Sequence, residues 1–328
     1  MIEKVLPDVY RIEVPLTGNP MRTVNSYLLK GGDRDLVIDT GWNHDDSLKV
    51  MTGAMADLEV DPSRTDFFLT HMHVDHIGLI GRLVADGSRV YLHRKDALWI
   101  GRKERWGEFR DFARVSGFPE GDLEEMIRDH PGFRYGIDRP VRFLYPRDGD
   151  EIQVGRYRLV CMEVPGHSPG HTCLYEKEKK FLVSGDHLLE DITPAILLHL
   201  DGRNPLAEYL SSLSRMEFIE VDLVLPGHRR PFRRCRERIE EIKVHHRKRT
   251  REVLEILGMN GPQVPYSVAS SMTWDIFYNS WEQLPPWQRW FAVGEANAHL
   301  KYLVDLDLAG MENWNGLQVY YRSVPHSP

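Results

Sequence analysis

Between Thr70 and Gly78 the chain reads THMHVDHIG, which places His71, His73, Asp75 and His76 within six positions. The segment follows the apolar run 67–69, which reads as a strand, and precedes 78–85, which reads as a helix; 89–92 reads as the next strand. A strand–loop–helix–strand unit puts these side chains at the carboxyl end of a strand, the edge where open sheets carry their sites. The same placement recurs three times. His167 follows the strand-like run 157–163 in VPGHSPGH, Asp186 follows 180–184 in SGDH, and His228 follows 223–225 in LPGH. Each group sits beside Gly or Pro, as a turn leaving a strand requires. An α/β fold that gathers seven ligand-type groups on one rim is the expectation.

Imidazole and carboxylate together suit zinc, with iron and manganese as the other candidates, and no cysteine occupies a ligand position. His71 and His73 alternate by two, so on extended backbone they point the same way. Asp75 and His76 are then free to serve a neighbouring ion, and the two oxygens of Asp186 can bridge. Two ions roughly 3.5–4 Å apart form a recurrent hydrolytic arrangement. A lone histidine beside a strand is more often structural than a ligand. Random placement, however, would not set every one of these groups just after an apolar run.

The remaining sequence bounds the setting. The 328 residues carry a net charge of -7, which names no partner, and apolar runs such as 195–198 are far too short to span a bilayer. The opening MIEKVLPDVY has no secretory-signal pattern, and Cys161, Cys173 and Cys235 are odd in number and widely spaced, so a cytoplasmic protein with reduced, mostly buried thiols is expected. Two regions are predicted: a catalytic domain over 1–234 and a small, mainly helical, winged-helix-like domain over 235–328. The second contains a long helix over 236–257, another over 294–308, and a hairpin at Asn315-Gly316. Residues 99–134 read as a charged, aromatic helical insertion, either a lid or dimer contact or a solvated helical hairpin with no part in the chemistry. His171 and His187 lie in the chain next to candidate ligands, His245 and His246 are read as solvated on a basic helix, and His299 as a packed core residue. Residues 141–144 read as a strand.

The order T-H-x-H-x-D-H, G-H-S-P-G-H, S-G-D-H and P-G-H, together with VNSYLL and VIDTG near the N-terminus, resembles the metallo-β-lactamase-fold hydrolase superfamily over about residues 5–232. The resemblance implies a four-layer αββα sandwich and the seven-ligand, two-metal site of glyoxalase II-type members. One ion would take His71, His73, His167 and Asp186; the other would take Asp75, His76, Asp186 and His228, with Asp39 in support. The best-known β-lactamases have a cysteine where Asp186 stands, which argues against that activity. Quorum-quenching lactonases have a tyrosine shortly after the bridging aspartate, and HLLEDITPAI has none.

The resemblance therefore implies a hydrolase for a small-molecule substrate. A hydroxide between the ions attacks an ester, thioester or lactone carbonyl, and Asp75 orients it. The alternative is an RNA-directed endoribonuclease or phosphodiesterase, because the tail resembles that of relatives that include a mitochondrial endoribonuclease. Its support in the residues is 229–251, with eleven Lys/Arg against three acids; the following 252–328 carry eight acids against three Lys/Arg and do not extend that surface.

Overall fold

The computed structural model describes residues 1–100, 105–198, 200–275 and 280–323. Residues 101–104 of the predicted insertion, and 276–279 and 324–328 of the predicted C-terminal domain, lie outside the described residues.

The first sheet runs β1 (Ile2–Leu6), β2 (Val9–Pro15), β3 (Thr23–Leu29), β4 (Asp35–Ile38), β5 (Thr65–Phe68) and β6 (Val90–Tyr91) in that spatial order. It is antiparallel through β4, and β4, β5 and β6 are parallel. The second sheet has the order β11 (Leu223–Pro226), β10 (Phe181–Gly185), β9 (Thr172–Glu176), β8 (Tyr157–Glu163) and β7 (Glu151–Val154), with only β10 and β11 parallel. Every residue of β4, β5, β9, β10 and β11 is buried, as strands covered on both faces require.

Side chains between the sheets, among them Tyr27, Ile38, Phe68, Leu159, Phe181 and Leu225, form the inner core. The outer face of the first sheet is covered by α1 (Asp45–Asp57), α2 (Val74–Ile77) and α3 (Ile80–Leu83) through Val37, Met51, Phe67 and Ile80. Short α4 (Arg94–Ala97) follows β6. The insertion forms α5 (Arg105–Val115), α6 (Leu123–Asp129) and α7 (Pro131–Arg134). The outer face of the second sheet is covered by α8 (Pro205–Met216) and α9 (Cys235–Asn260). Asn204 caps α8 by accepting from the Ala207 amide at 3.0 Å, with Pro205 as its first residue. The result is the four-layer αββα sandwich. Beyond it lie α10 (Pro265–Ser271), α11 (Pro286–Asp305) and the hairpin β12 (Ala309–Trp314) and β13 (Leu317–Arg322). Asn315 and Gly316, both at positive φ, make its turn.

Three sequence readings change. The helix expected over 78–85 is two short ones, and the first starts inside the histidine cluster at Val74. The strand expected over 141–144 shrinks to Leu144, which extends the sheet beyond β6 by bonding Val90 and Leu92; Pro140 and Pro146 limit the ladder. His246, read as solvated, is buried. The buried positions of α9 run Cys235, Arg238, Ile239, Ile242, His246, Arg249, Val253, Ile256 and Leu257, so His246 falls on the core stripe.

The insertion and the C-terminal helices share one apolar cluster. Phe109, Phe112 and Phe118 meet Trp290 edge-on at 5.6, 5.9 and 6.3 Å between ring centres. All three cysteines are buried and free. No described helix is long and apolar enough to cross a membrane.

Candidate metal centre

The seven groups singled out in the sequence meet at one edge of the sandwich. His71 and His73 follow β5, Asp75 and His76 lie in the first turn of α2, His167 lies between β8 and β9, Asp186 follows β10, and His228 follows β11. Ligand atoms of His71, His73 and His167 lie within 4.8 Å of one another, and so do those of Asp75, His76 and His228. Asp186 sits between the two sets. Its oxygens are 3.7 Å from His167 Nε2, 3.5 Å from His76 Nε2 and 3.4 Å from His228 Nε2. Gly227 permits this approach, since a Cβ there would lie 2.4 Å from Asp186 Oδ1.

The imidazoles are oriented by what binds their far side. His76 Nδ1 donates to Asp39 Oδ2 at 2.7 Å, His167 Nδ1 to the Ala195 carbonyl at 2.8 Å, and His228 Nδ1 to the Thr23 carbonyl at 2.8 Å. The Thr70 hydroxyl gives its proton to Asp39 Oδ2 at 2.8 Å, so its 3.0 Å contact with His71 Nδ1 is donated by the ring. In the neutral ring this leaves Nε2 with its lone pair, although the neighbouring carboxylates favour a proton on His76 and His228 until a cation takes its place. Asp39 is held at φ 59, where its carboxylate also accepts the Thr70 amide at 2.8 Å. His71 and His73 meet at 3.0 Å between Nε2 and Nδ1.

The electrostatics favour a cation at the centre. Burial, with repulsion from His76, His73 and other rings, holds His71 well below its ordinary pKa; burial also lowers His73 and His167. Burial works against charge on His228 too, but Asp186 and Asp75 outweigh it and raise the ring to about 10. Burial would lift Asp75, yet His76 and His228 bring it down to about 2. Buried Nε2 atoms of His76 and His167 and Oδ1 of Asp186 have no hydrogen-bond partner. Buried polar atoms are normally satisfied, and inward lone pairs beside carboxylates are what a divalent cation satisfies. The donor set therefore fits one or more such ions.

Two supporting residues, Asp96 and Arg238, carry no sequence signal of their own. Asp96 is buried and bonds two of the loops that carry candidate ligands. Arg238 of α9 donates to the Leu189 and Ile192 carbonyls at 2.7 and 2.8 Å, fixing the segment after Asp186. His171 accepts the Asp186 amide through Nε2 at 3.1 Å, while His187 is buried against Tyr209. Part of the basic run 229–251 is paired: Arg234 and Arg238 with Glu241, Lys243 with Glu217 at the end of α8, and Arg249 with Glu252.

The metallo-beta-lactamase superfamily model matches residues 20–228. The acyl-coenzyme A thioesterase MBLAC2 of Homo sapiens is 29% identical over 221 residues, 63% of this chain and 74% of its own. The probable metallo-hydrolase YqjP of Bacillus subtilis is 26% identical over 330 residues, 97% of this chain and 98% of its own. Among solved structures, a metallo-beta-lactamase family protein from Thermus thermophilus superposes with a TM-score of 0.82 at 29% identity, over 97% of this chain and 100% of that one.

Proposed function

This chain belongs to the metallo-beta-lactamase superfamily, and on that premise we propose that its convergent edge is a two-metal hydrolytic centre that cleaves a thioester of a small acyl conjugate. The observation that carries the reading is that seven candidate ligands form three overlapping groups. His71, His73 and His167 make one and Asp75, His76 and His228 another, joined by the group of His71, His76 and Asp186, so that Asp186 lies between the two outer ones. His71, His73 and His167 would hold one ion and Asp75, His76 and His228 the other, with Asp186 in reach of both sets. Zinc suits this nitrogen-and-carboxylate set, and iron or manganese are the alternatives.

When bound, such ions polarise a carbonyl oxygen and lower the pKa of a water. The protein's own groups do the remainder. Asp75, its carboxylate partly open to solvent and 3.3 Å from His228 Nε2, is ionised and accepts a hydrogen bond from the attacking water, which orients it. Asp39 holds His76 and, through Thr70, His71 in the required tautomers.

A thioester fits a site made of bases and lone pairs. A thiol has a pKa near ~8.5, so the leaving thiolate departs without prior protonation, unlike an amine. The similarity to relatives named acyl-coenzyme A thioesterases supports the same bond type.

The test is elemental analysis of freshly purified protein, followed by a screen of acyl thioesters, lactones, phosphodiesters and short RNA. Two ions per chain and the highest kcat/KM on a thioester are expected. A single ion at full loading would remove the two-metal claim, and preferred turnover of RNA or a phosphodiester would replace the substrate class.

A further inference from the structure

Asp96 is on α4, outside the ring of seven, and its side chain is completely buried. Its carboxylate accepts three hydrogen bonds. Oδ2 takes the Met72 amide at 2.9 Å and the Ser168 hydroxyl at 2.6 Å, and Oδ1 takes the Gly170 amide at 2.6 Å. Met72 lies between His71 and His73, on the loop that leaves the first sheet. Ser168 and Gly170 follow His167, on the loop between β8 and β9 of the second sheet. One carboxylate thus grips two loops from two sheets, and these loops carry the three imidazoles of one candidate metal set.

We infer that Asp96 is a positioning residue that clamps these loops together and sets the spacing of His71, His73 and His167. The inference rests on the reading of the edge as a two-metal centre. Three features distinguish a clamp from packing. First, three donors converge on one side chain, and only a carboxylate offers acceptors on both oxygens; an amide turns one of them into a donor. Second, the backbone is shaped to reach it. A Cβ at Gly170 would lie 2.3 Å from His93 Nδ1 and 2.9 Å from Asp96 Oδ1, so the Gly170 amide approaches only because no side chain intervenes. Third, His93 backs the loop and is itself pinned, with Nδ1 accepting the Lys95 amide at 3.1 Å and Nε2 3.1 Å from Glu163.

A carboxylate in this position is costly. Burial raises Asp96 to about 6 even though Ser168, Gly170 and Met72 pull it back. The sheets are also tied nearby by the Thr172 amide to the Thr70 carbonyl at 2.9 Å, but that bond leaves the loop beyond Thr70 free to shift. Metal–ligand distances tolerate only about 0.2 Å, so slack between His73 and His167 translates into lost affinity.

The experiment compares full-length wild type with Asp96→Asn and Ser168→Ala. Zinc stoichiometry, zinc affinity by chelator competition, the visible spectrum after cobalt substitution, and thermal melting of the metal-free proteins are read together. In Asp96→Asn one of two ions is expected to bind about 10–100-fold more weakly while the other is unchanged, as for loss of other groups that orient ligands. The cobalt spectrum should change, and melting only modestly. Ser168→Ala removes one donor and is expected to show the same one-site loss at a smaller size; it decides the matter if Asp96→Asn does not fold. Lowered melting with both affinities intact would mean that Asp96 only packs, and the clamp is then overturned. Wild type that never takes up a second ion would instead overturn the reading of the whole edge, and the clamp with it.

Discussion

Buried histidines occur in two parts of this protein, and the two parts treat them differently. At the metal edge, His71, His76, His167 and His228 each have Nδ1 engaged by a threonine, an aspartate or a backbone carbonyl, so Nε2 faces a common centre. Among the C-terminal helices, both ring nitrogens of His246 lack a hydrogen-bond partner, and His299 is held only by Thr250 at 2.9 Å through Nδ1. These rings lie in a row with Tyr209, edge-on between Tyr209 and His246 at 5.6 Å and tilted between His246 and His299 at 5.5 Å, and among the described residues they share no centre with a carboxylate. Burial alone therefore does not mark a ligand. An imidazole whose far nitrogen is held, and whose near nitrogen shares a centre with carboxylates, is placed to act as one.

The largest expected effect is at the edge. Asp186→Ala removes the group between the two sets, and kcat/KM should fall on the order of 10³-fold or more, with loss of at least one ion per chain. Retention of both ions and near-normal turnover would dissolve the distinction drawn above. Next, Trp290→Ala opens the cluster shared by the insertion and the C-terminal helices. It should cost about 3–5 kcal/mol of stability in denaturant titration, while the metal content of the folded fraction stays at the wild-type value. Loss of metal in parallel would show that the two parts are one cooperative unit.

A third expectation concerns acid. Burial, with His245 and Arg249, lowers His246 to about 3. Between that value and the ordinary pKa the unfolded chain binds more protons than the folded one, so stability falls as pH drops below about 6.5. From pH 7 to pH 5 this group alone accounts for about 2 kcal/mol, and His246→Leu should flatten the pH profile of chemical unfolding by that amount without changing metal stoichiometry. An unchanged profile would mean that His246 is solvated after all. The smallest effect is expected for Thr250→Val, about 1 kcal/mol from the lost bond to His299, read as a melting shift with metal affinity untouched.

Much of the edge was legible because strands have a direction. A ligand type placed immediately after an apolar run must emerge at a strand end, and parallel strands bring their ends to one side; hence His71, His73, Asp75, His76, His167, Asp186 and His228 could be grouped before any contact was known. The hairpin at Asn315-Gly316 was legible for a similarly local reason, since few residues accept two successive positive φ angles. His246 was legible in principle from the three-and-four spacing of α9, but the surrounding Lys and Arg masked the stripe.

What the sequence by itself determined is thus whatever depends on neighbours a few residues apart: the helices, the turns, the ligand types and their order along the chain. Tertiary structure alone decided what depends on pairs far apart in the chain. Asp96 reaches Ser168 and Gly170 across more than seventy positions, Arg238 reaches back to Leu189 and Ile192, and the aromatics of the insertion find Trp290. A buried carboxylate or an aromatic ring needs a partner somewhere, but nothing in its local sequence says where. Only the packing of the two sheets and their helices brings that partner within 3 to 6 Å.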